Sequence, residues 1–313
     1  MPGRAHRARP QPALLNKETN VRIRKAVIPA AGFGTRLYPA TKAVKKELFP
    51  IVGPDGICRP ALQYNIEEIV AAGIEQVCVI VQPGDEGDFR SYFSAPTPEL
   101  AAKLKPPHLA LSANLEALGR KITYAYQAKQ EGYGHAVYCA REFVGDEPFL
   151  LLLGDHVFAT TAGPSCTEQI IQVFEQYDAT VSSVCRVGTD LLPHLGAIAG
   201  EPLAEDPRVI RVREFKEKPS LDYAARHLRV KGLADDEYYC HFGTHVFKPG
   251  IFTMLESLIS RNVRERGEFQ LTAAQHLLAQ REPYYAYEIT GDRYDIGLPL
   301  EYVRTVKLMA RPG

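Results

Sequence analysis

The sequence predicts a layered α/β fold, a single domain on a mostly parallel central sheet. Three observations predict it. Gln76 to Val81 and Phe149 to Leu153 are apolar almost throughout, the pattern of parallel strands covered on both faces. Helical patterns follow the early strands, and the order strand, helix, strand, helix implies right-handed crossovers. The first apolar run, Ala26 to Ile28, passes through Pro29 into Gly32-Phe33-Gly34, a buried strand ending in a tight loop.

Composition sets the outer limits. A chain of 313 residues with 45% hydrophobic content can build a sizeable core. Lys plus Arg and Asp plus Glu number 37 each, so no bulk charge argues for a nucleic-acid polymer or a membrane as partner. The six cysteines are dispersed with no Cys-x-x-Cys pair, which fits reduced thiols in a cytoplasmic protein. No apolar run approaches the roughly 20 residues of a membrane span. Residues 1–24 combine Arg4, Arg7 and Arg9 with three prolines, and a mobile basic tail is expected there. The domain then spans 25–313.

The glycine loop is the first candidate site. Two residues without Cβ let the backbone approach a ligand, and successive N–H groups form a concavity for phosphate. Thr35, Arg36, Lys42, Lys45 and Lys46 follow closely, one hydroxyl and four cations. A P-loop is excluded because Tyr38-Pro39 stands where Lys-Ser/Thr is required. The dinucleotide fingerprint fails as well, since Leu37 holds the place of its third glycine. A strand-to-helix turn with a solvated basic face is the plainer alternative.

Further along, Pro60 suits the first turn of a helix through Ile66 and Ile69, which Gly73 ends; Ile57 to Pro60 before it reads as a loop. A helix is expected through Phe89 and Phe93. Residues 94–119, with four prolines and a helical pattern from Leu109 to Leu118, read as an insertion. Ile122 to Tyr126 resumes as a strand. The run ending at Leu153 delivers Asp155 beyond its C-terminal end, where ligands of open α/β sheets gather. A hard cation such as Mg²⁺ takes one or two carboxylates and leaves positions for phosphate oxygens and water. A helix over Glu168 to Tyr177 and a strand over Ala179 to Val187 follow. Residues 210–217 alternate polar and apolar as in a half-buried strand, which Pro219 stops. Tyr238 to Phe247 and Tyr284 to Ile289 read as strands, and helices follow Pro249, cover Ala273 to Gln280 and begin at Pro299.

Gly-x-Gly-Thr-Arg-x-x-Pro-x-Thr-Lys, followed by Lys-Glu-Leu-x-Pro, resembles the signature of the sugar-1-phosphate nucleotidylyltransferases. Gly32, Gly34, Thr35, Arg36, Pro39, Thr41, Lys42, Lys46, Glu47 and Pro50 match it. Gly134-His-Ala-Val137, Glu217-Lys-Pro219, Glu268-Phe-Gln-Leu-Thr272 and Asp295-Ile-Gly297 extend the resemblance to about Leu308, and the wording is most similar to that of the bacterial uridylyltransferases. Two departures stand out: Lys45 replaces a proline, and Gly-Asp-His varies the words around Asp155.

The resemblance implies a Rossmann-like nucleotidyltransferase fold and the joining of UTP with glucose 1-phosphate into UDP-glucose and pyrophosphate. It implies Arg36, Lys46 and Lys218 as catalytic cations. Ala31, Gly32, Gly34, Thr35, Glu47, Gln127 and Gly132 would bind nucleotide, and an amide such as Gln127 suits a pyrimidine edge. Gly196, Glu217, Lys218 and Gly243 would hold the sugar phosphate, and Asp155 and Asp295 would hold Mg²⁺. A homo-oligomer is expected. The same chemistry with dTTP, GTP or another hexose 1-phosphate, and a catalytically silent sugar-nucleotide sensor, are the competing readings.

Overall fold

The structure is a computed structural model that describes residues 22–160 and 162–310. Of the tail expected over 1–24, residues 1–21 lie outside the described residues. The last three are anchored instead: Ile23 is buried and Arg24 donates to Glu147. The packed chain therefore starts ahead of the expected boundary, because one isoleucine and one ion pair suffice to hold it.

The strands are β1 (Lys25–Pro29), β2 (Pro50–Val52), β3 (Cys58–Pro60), β4 (Gln76–Val81), β5 (Ile122–Tyr126), β6 (Phe149–Leu152) and β7 (His156–Ala159). They continue with β8 (Thr180–Gly188), β9 (Gly196–Pro202), β10 (Val209–Glu217), β11 (Glu237–Phe247), β12 (Tyr284–Glu288) and β13 (Asp292–Asp295). The helices are α1 (Ala61–Ala71), α2 (Glu86–Tyr92), α3 (Pro98–Ala101), α4 (Pro106–Gly119), α5 (Tyr133–Tyr138) and α6 (Arg141–Val144). In the second half they are α7 (Cys166–Tyr177), α8 (Leu221–His227), α9 (Gly250–Ser260), α10 (Leu271–Ala279) and α11 (Pro299–Met309).

Nine strands form one sheet in the order β5-β4-β1-β6-β11-β8-β12-β10-β9. Alternation along β1 divides the core between its two faces. Ala26 and Ile28 pack with Leu62, Ile66 and Ile69 of α1 and Phe174 of α7, while Val27 packs with α5, α9 and α10 on the other face. The α/β layering is as expected, but the sheet is mixed rather than mostly parallel. β5, β4, β1 and β6 run parallel, as do β8 and β12, whereas β11, β10 and β9 pair antiparallel to their neighbours. Continuous apolar runs mark only the parallel half. Antiparallel pairing suits the alternating pattern of β10. A further β9–β11 pairing closes β11, β8, β12, β10 and β9 into a ring.

The 94–119 segment folds as α3 and α4 and returns to the sheet edge. Leu118 is buried, and Gly119 lies so close to Phe93 that a Cβ would come 2.2 Å from its carbonyl oxygen. Two small sheets complete the fold. β2 pairs with β3, and β13 pairs with β7 so that Asp295 lies opposite His156.

Candidate active site

Because β5, β4, β1 and β6 are adjacent and parallel, the loops leaving their C-terminal ends lie side by side. Those loops carry Gln127, Gln82, the glycine turn and Asp155. Ala31 is buried, and its carbonyl accepts from Gln82 Nε2 at 2.9 Å. Gly34 has φ +64 and Thr41 Oγ1 donates to its carbonyl at 3.0 Å, so the turn is fixed in the left-handed region that favours glycine. Three short 3₁₀ turns, Thr35–Leu37, Ala40–Lys42 and Lys46–Leu48, follow where a regular helix would otherwise begin.

Lys46 runs back across that turn. Its Cε lies 3.9 Å from where a Gly32 Cβ would be, and its ammonium reaches Asp155 Oδ2 at 2.6 Å and Glu47 Oε1 at 3.0 Å. Burial disfavours this charge, but the two carboxylates outweigh it and raise the Lys46 pKa. Burial likewise pushes the Asp155 carboxyl up; Lys46 and His156 overcome that and hold it well below the usual range. Glu47 is fully buried, and its burial pushes its pKa up against the pull of Lys46. Gly154 explains how these groups come so close: a Cβ there would meet Pro29 O at 3.0 Å and Glu47 Cγ at 3.1 Å.

Asp155 and Asp295 come together despite their separation in sequence. The β7–β13 pairing brings them to opposite sides of His156, whose Nδ1 lies 3.2 Å from Asp155 Oδ1 and whose Nε2 lies 3.8 Å from Asp295 Oδ2. One donor atom from each of these three residues falls within a common 4.8 Å. Gly297 completes the notch. A Cβ there would lie 2.8 Å from Asp155 Oδ2, 3.0 Å from Asp295 Oδ1 and 3.1 Å from Arg36 Nη2. Two hard carboxylate oxygens beside open glycine backbone fit a divalent cation that keeps positions for other oxygens. Gly154 and Gly297 both stand inside motifs quoted from the sequence, Gly-Asp-His and Asp-Ile-Gly, but sequence reasoning assigns neither a role in the site.

Gln127 is buried and donates to the carbonyl of Gly132 at 3.1 Å. Gly132 has φ +110 and is pressed against Glu268 and Phe269, where a Cβ would come within 2.7 Å of Glu268 Cβ. The same segment reaches the far end of the site, because Thr272 Oγ1 donates to Glu217 Oε2 at 2.7 Å. Glu217 is paired with Gly196 across β10 and β9, and Lys218, at φ +44, places its ammonium 3.9 Å from Glu217 Oε1. Gly243, at φ +119, accepts through its carbonyl from Leu153 N–H at 3.3 Å, two residues from Asp155. Arg293, two residues from Asp295, donates to the carbonyl of His241 at 3.0 Å. Residues 241–243 thus join the acidic pair to the Glu217 end. Thr35 is exposed and Lys45 is engaged elsewhere, pairing with Asp85 at 2.5 Å.

The nucleotidyl transferase family pattern matches residues 25–310, which is nearly the whole described chain. The chain belongs to the nucleotidyl transferase family. It is 37% identical over 292 residues to the UTP–glucose-1-phosphate uridylyltransferase of Bacillus subtilis (strain 168), covering 91% of this chain and 90% of that one. It is 34% identical over 285 residues to UTP–glucose-1-phosphate uridylyltransferase 2 of Staphylococcus saprophyticus, with 91% of each covered. Among solved structures of this nucleotidyl transferase type, a UDP-glucose pyrophosphorylase complexed with UDP-glucose superposes with a TM-score of 0.75 at 26% identity, covering 92% of this chain and 98% of that one. The UTP-bound enzyme of Acinetobacter baumannii gives 0.76 at 27%, covering 92% and 93%. Among the described residues no helix is long and apolar enough to cross a membrane.

Proposed function

We propose that this nucleotidyl transferase joins UTP and glucose 1-phosphate, releasing pyrophosphate and forming UDP-glucose. The observation that carries the reading is the convergence of Arg36, Lys46, Asp155 and Asp295 on one glycine-lined notch, on a chain that matches uridylyltransferases over nine-tenths of its length. An oxygen of the sugar phosphate forms a bond to the α-phosphorus of UTP while the bond to the β-phosphate oxygen breaks and pyrophosphate leaves. The attacking phosphate is already ionised, so no protein base or nucleophile is required and catalysis rests on positioning and charge.

The two substrates bring several negative charges together, and at ~4 Å with an effective dielectric near ~20 each like pair costs about 4 kcal/mol. Arg36, by its forked donors, suits the β- and γ-phosphates. Lys46 suits the α-phosphate and Lys218 the sugar phosphate. Asp155 and Asp295 would hold Mg²⁺, which neutralises charge on phosphate oxygens. Ala31, Gly32, Gly34 and Thr35 offer backbone and hydroxyl to the nucleotide; Gln127 and Gly132, with Glu47 behind Lys46, frame its base and ribose. Gly196, Glu217 and Gly243 flank the sugar. A homo-oligomer belongs to the same reading, supported by Leu300 (83% exposed) and Val303 (63%), two apolar residues one turn apart on α11, and a cytoplasmic location is supported by six cysteines that are all unpaired.

Pyrophosphate release across UTP, dTTP and GTP, each combined with several hexose 1-phosphates and Mg²⁺, tests it. Highest kcat/KM with UTP and glucose 1-phosphate is expected. Preference for another pair would reassign base or sugar, and UDP-glucose binding without turnover on any pair would make the chain a sensor.

A further inference from the structure

Two histidines lie on β11 where its register with β8 shifts around Gly243, and they differ sharply in how they are satisfied. His245 Nδ1 sits 2.7 Å from Ser182 Oγ, within a buried network that also holds Gln275 and Tyr284. His241, whose ring lies 5.2 Å from that of His245, has two buried ring nitrogens and no hydrogen-bond partner for either among the described residues. Buried polar groups are almost always hydrogen-bonded, so an orphaned imidazole calls for a partner.

Its surroundings say which. The ring is fixed flat against Phe215, 5.5 Å between centroids and 10° from parallel. Its Cδ2–Nε2 edge is turned to Gly196: a Cβ there would lie 2.8 Å from Cδ2, 3.5 Å from Nε2 and 3.0 Å from Glu217 Oε2. Imidazole and carboxylate thus close on one point of the β9 backbone. Glu217 also lines, with Lys218, Ser220 and Arg266, a cavity of about 380 Å³. Burial, reinforced by Arg293, lowers the His241 pKa to about 4, so the ring is neutral at working pH. A neutral imidazole offers one donor and one acceptor, which matches a hydroxyl and not a phosphate.

We propose that His241 is a specificity-determining residue for the sugar, hydrogen-bonding through Nε2 to one hydroxyl of the hexose that Glu217 and Gly196 flank. This rests on the sugar-phosphate reading of the site given above. A phenylalanine at 241 would keep the stacking on Phe215 and remove both nitrogens, while glutamine would restore a donor and an acceptor.

The test measures kcat/KM for glucose 1-phosphate and its 2-, 3-, 4- and 6-deoxy analogues with the wild-type protein, His241→Phe and His241→Gln. His241→Phe is expected to lose about tenfold with glucose 1-phosphate, through KM for the sugar and with KM for UTP unchanged. That loss should vanish with one deoxy analogue and persist with the others, and His241→Gln should recover part of it. An equal loss with all five sugars would show that the nitrogens serve only a buried water or the fold, and would overturn the proposal, as would no loss. Should His241→Phe fail to fold, the ¹⁵N signal of the wild-type ring decides: it must shift with UDP-glucose and not with UDP, and an unmoved signal overturns the assignment. A wild-type protein that releases no pyrophosphate with any pair would sink the functional reading itself, a result separable from a failure at His241 alone.

Discussion

Lys46 and Lys218 carry the same charge in different settings, and their removal should separate folding from chemistry. Lys46 is partly buried between Glu47 and Asp155, so Lys46→Ala strands two carboxylates and should cost about 3–5 kcal/mol in urea unfolding. Lys218 keeps 41% of its side chain exposed beside Glu217, and Lys218→Ala should leave stability nearly unchanged while kcat/KM falls about 10²-fold. Asp155→Ala should lose as much activity; a folded variant with near-full pyrophosphate release would remove the metal role. His241 sets an acid limit. Its pKa is about 4 when folded and about 6.5 when unfolded, so unfolding takes up a proton in between. Stability should therefore fall by about 3 kcal/mol as pH drops from 6.5 towards 4, and His241→Phe should make that limb of a stability–pH curve shallower without removing it, because burial also lowers the pKa of His245. Lys46, Asp155 and Glu217 were legible as residues because short words announced them. His241 was not, since its significance lies in partners it lacks, and no spacing in the sequence encodes an absence.

Whole elements were legible where one side of the pattern dominated. β4, β6, α7 and α11 fall close to the predicted runs. β7 and β13 were missed because each is four residues long and takes its identity from its partner, and Ile57 to Pro60, read as a loop, becomes β3 by pairing with β2. α8 was also unforeseen, though Ser220 caps it by accepting from Tyr223 N–H. At this scale caps and close glycines carry testable energy. Ser165 and Glu168 form a reciprocal box at the start of α7, and Ser165→Ala should cost about 1 kcal/mol in urea unfolding. Gly132→Ala combines φ +110 with a contact of 2.7 Å to Glu268 and should cost about 2–4 kcal/mol, while loosening the 268–272 segment as read by hydrogen exchange.

Over the whole molecule, the layered architecture was visible in the alternation of runs, but the antiparallel ring was not, because strand direction depends on which neighbour is chosen after collapse. α11 ties the end of the described chain to its beginning. Tyr302 meets Phe49 edge-on at 5.4 Å and donates to the carbonyl of Pro50 at 2.8 Å. The outward face of the same helix exposes Leu300 and Val303, and Leu300→Glu with Val303→Glu should shift light-scattering mass from oligomer to monomer. A wild-type chain that is monomeric at micromolar concentration would remove the expected assembly.

The acidic pair draws one member from the middle of the chain and the other from within twenty residues of its last one, and β13 supplies the latter only by pairing back onto β7. On the ribosome, then, the cationic turn and its first carboxylate emerge long before the second can join them. A polypeptide clipped by a protease ahead of Asp295 would lose the second carboxylate and α11 together, and with α11 the packing of Tyr302 on Phe49 beside the cationic turn.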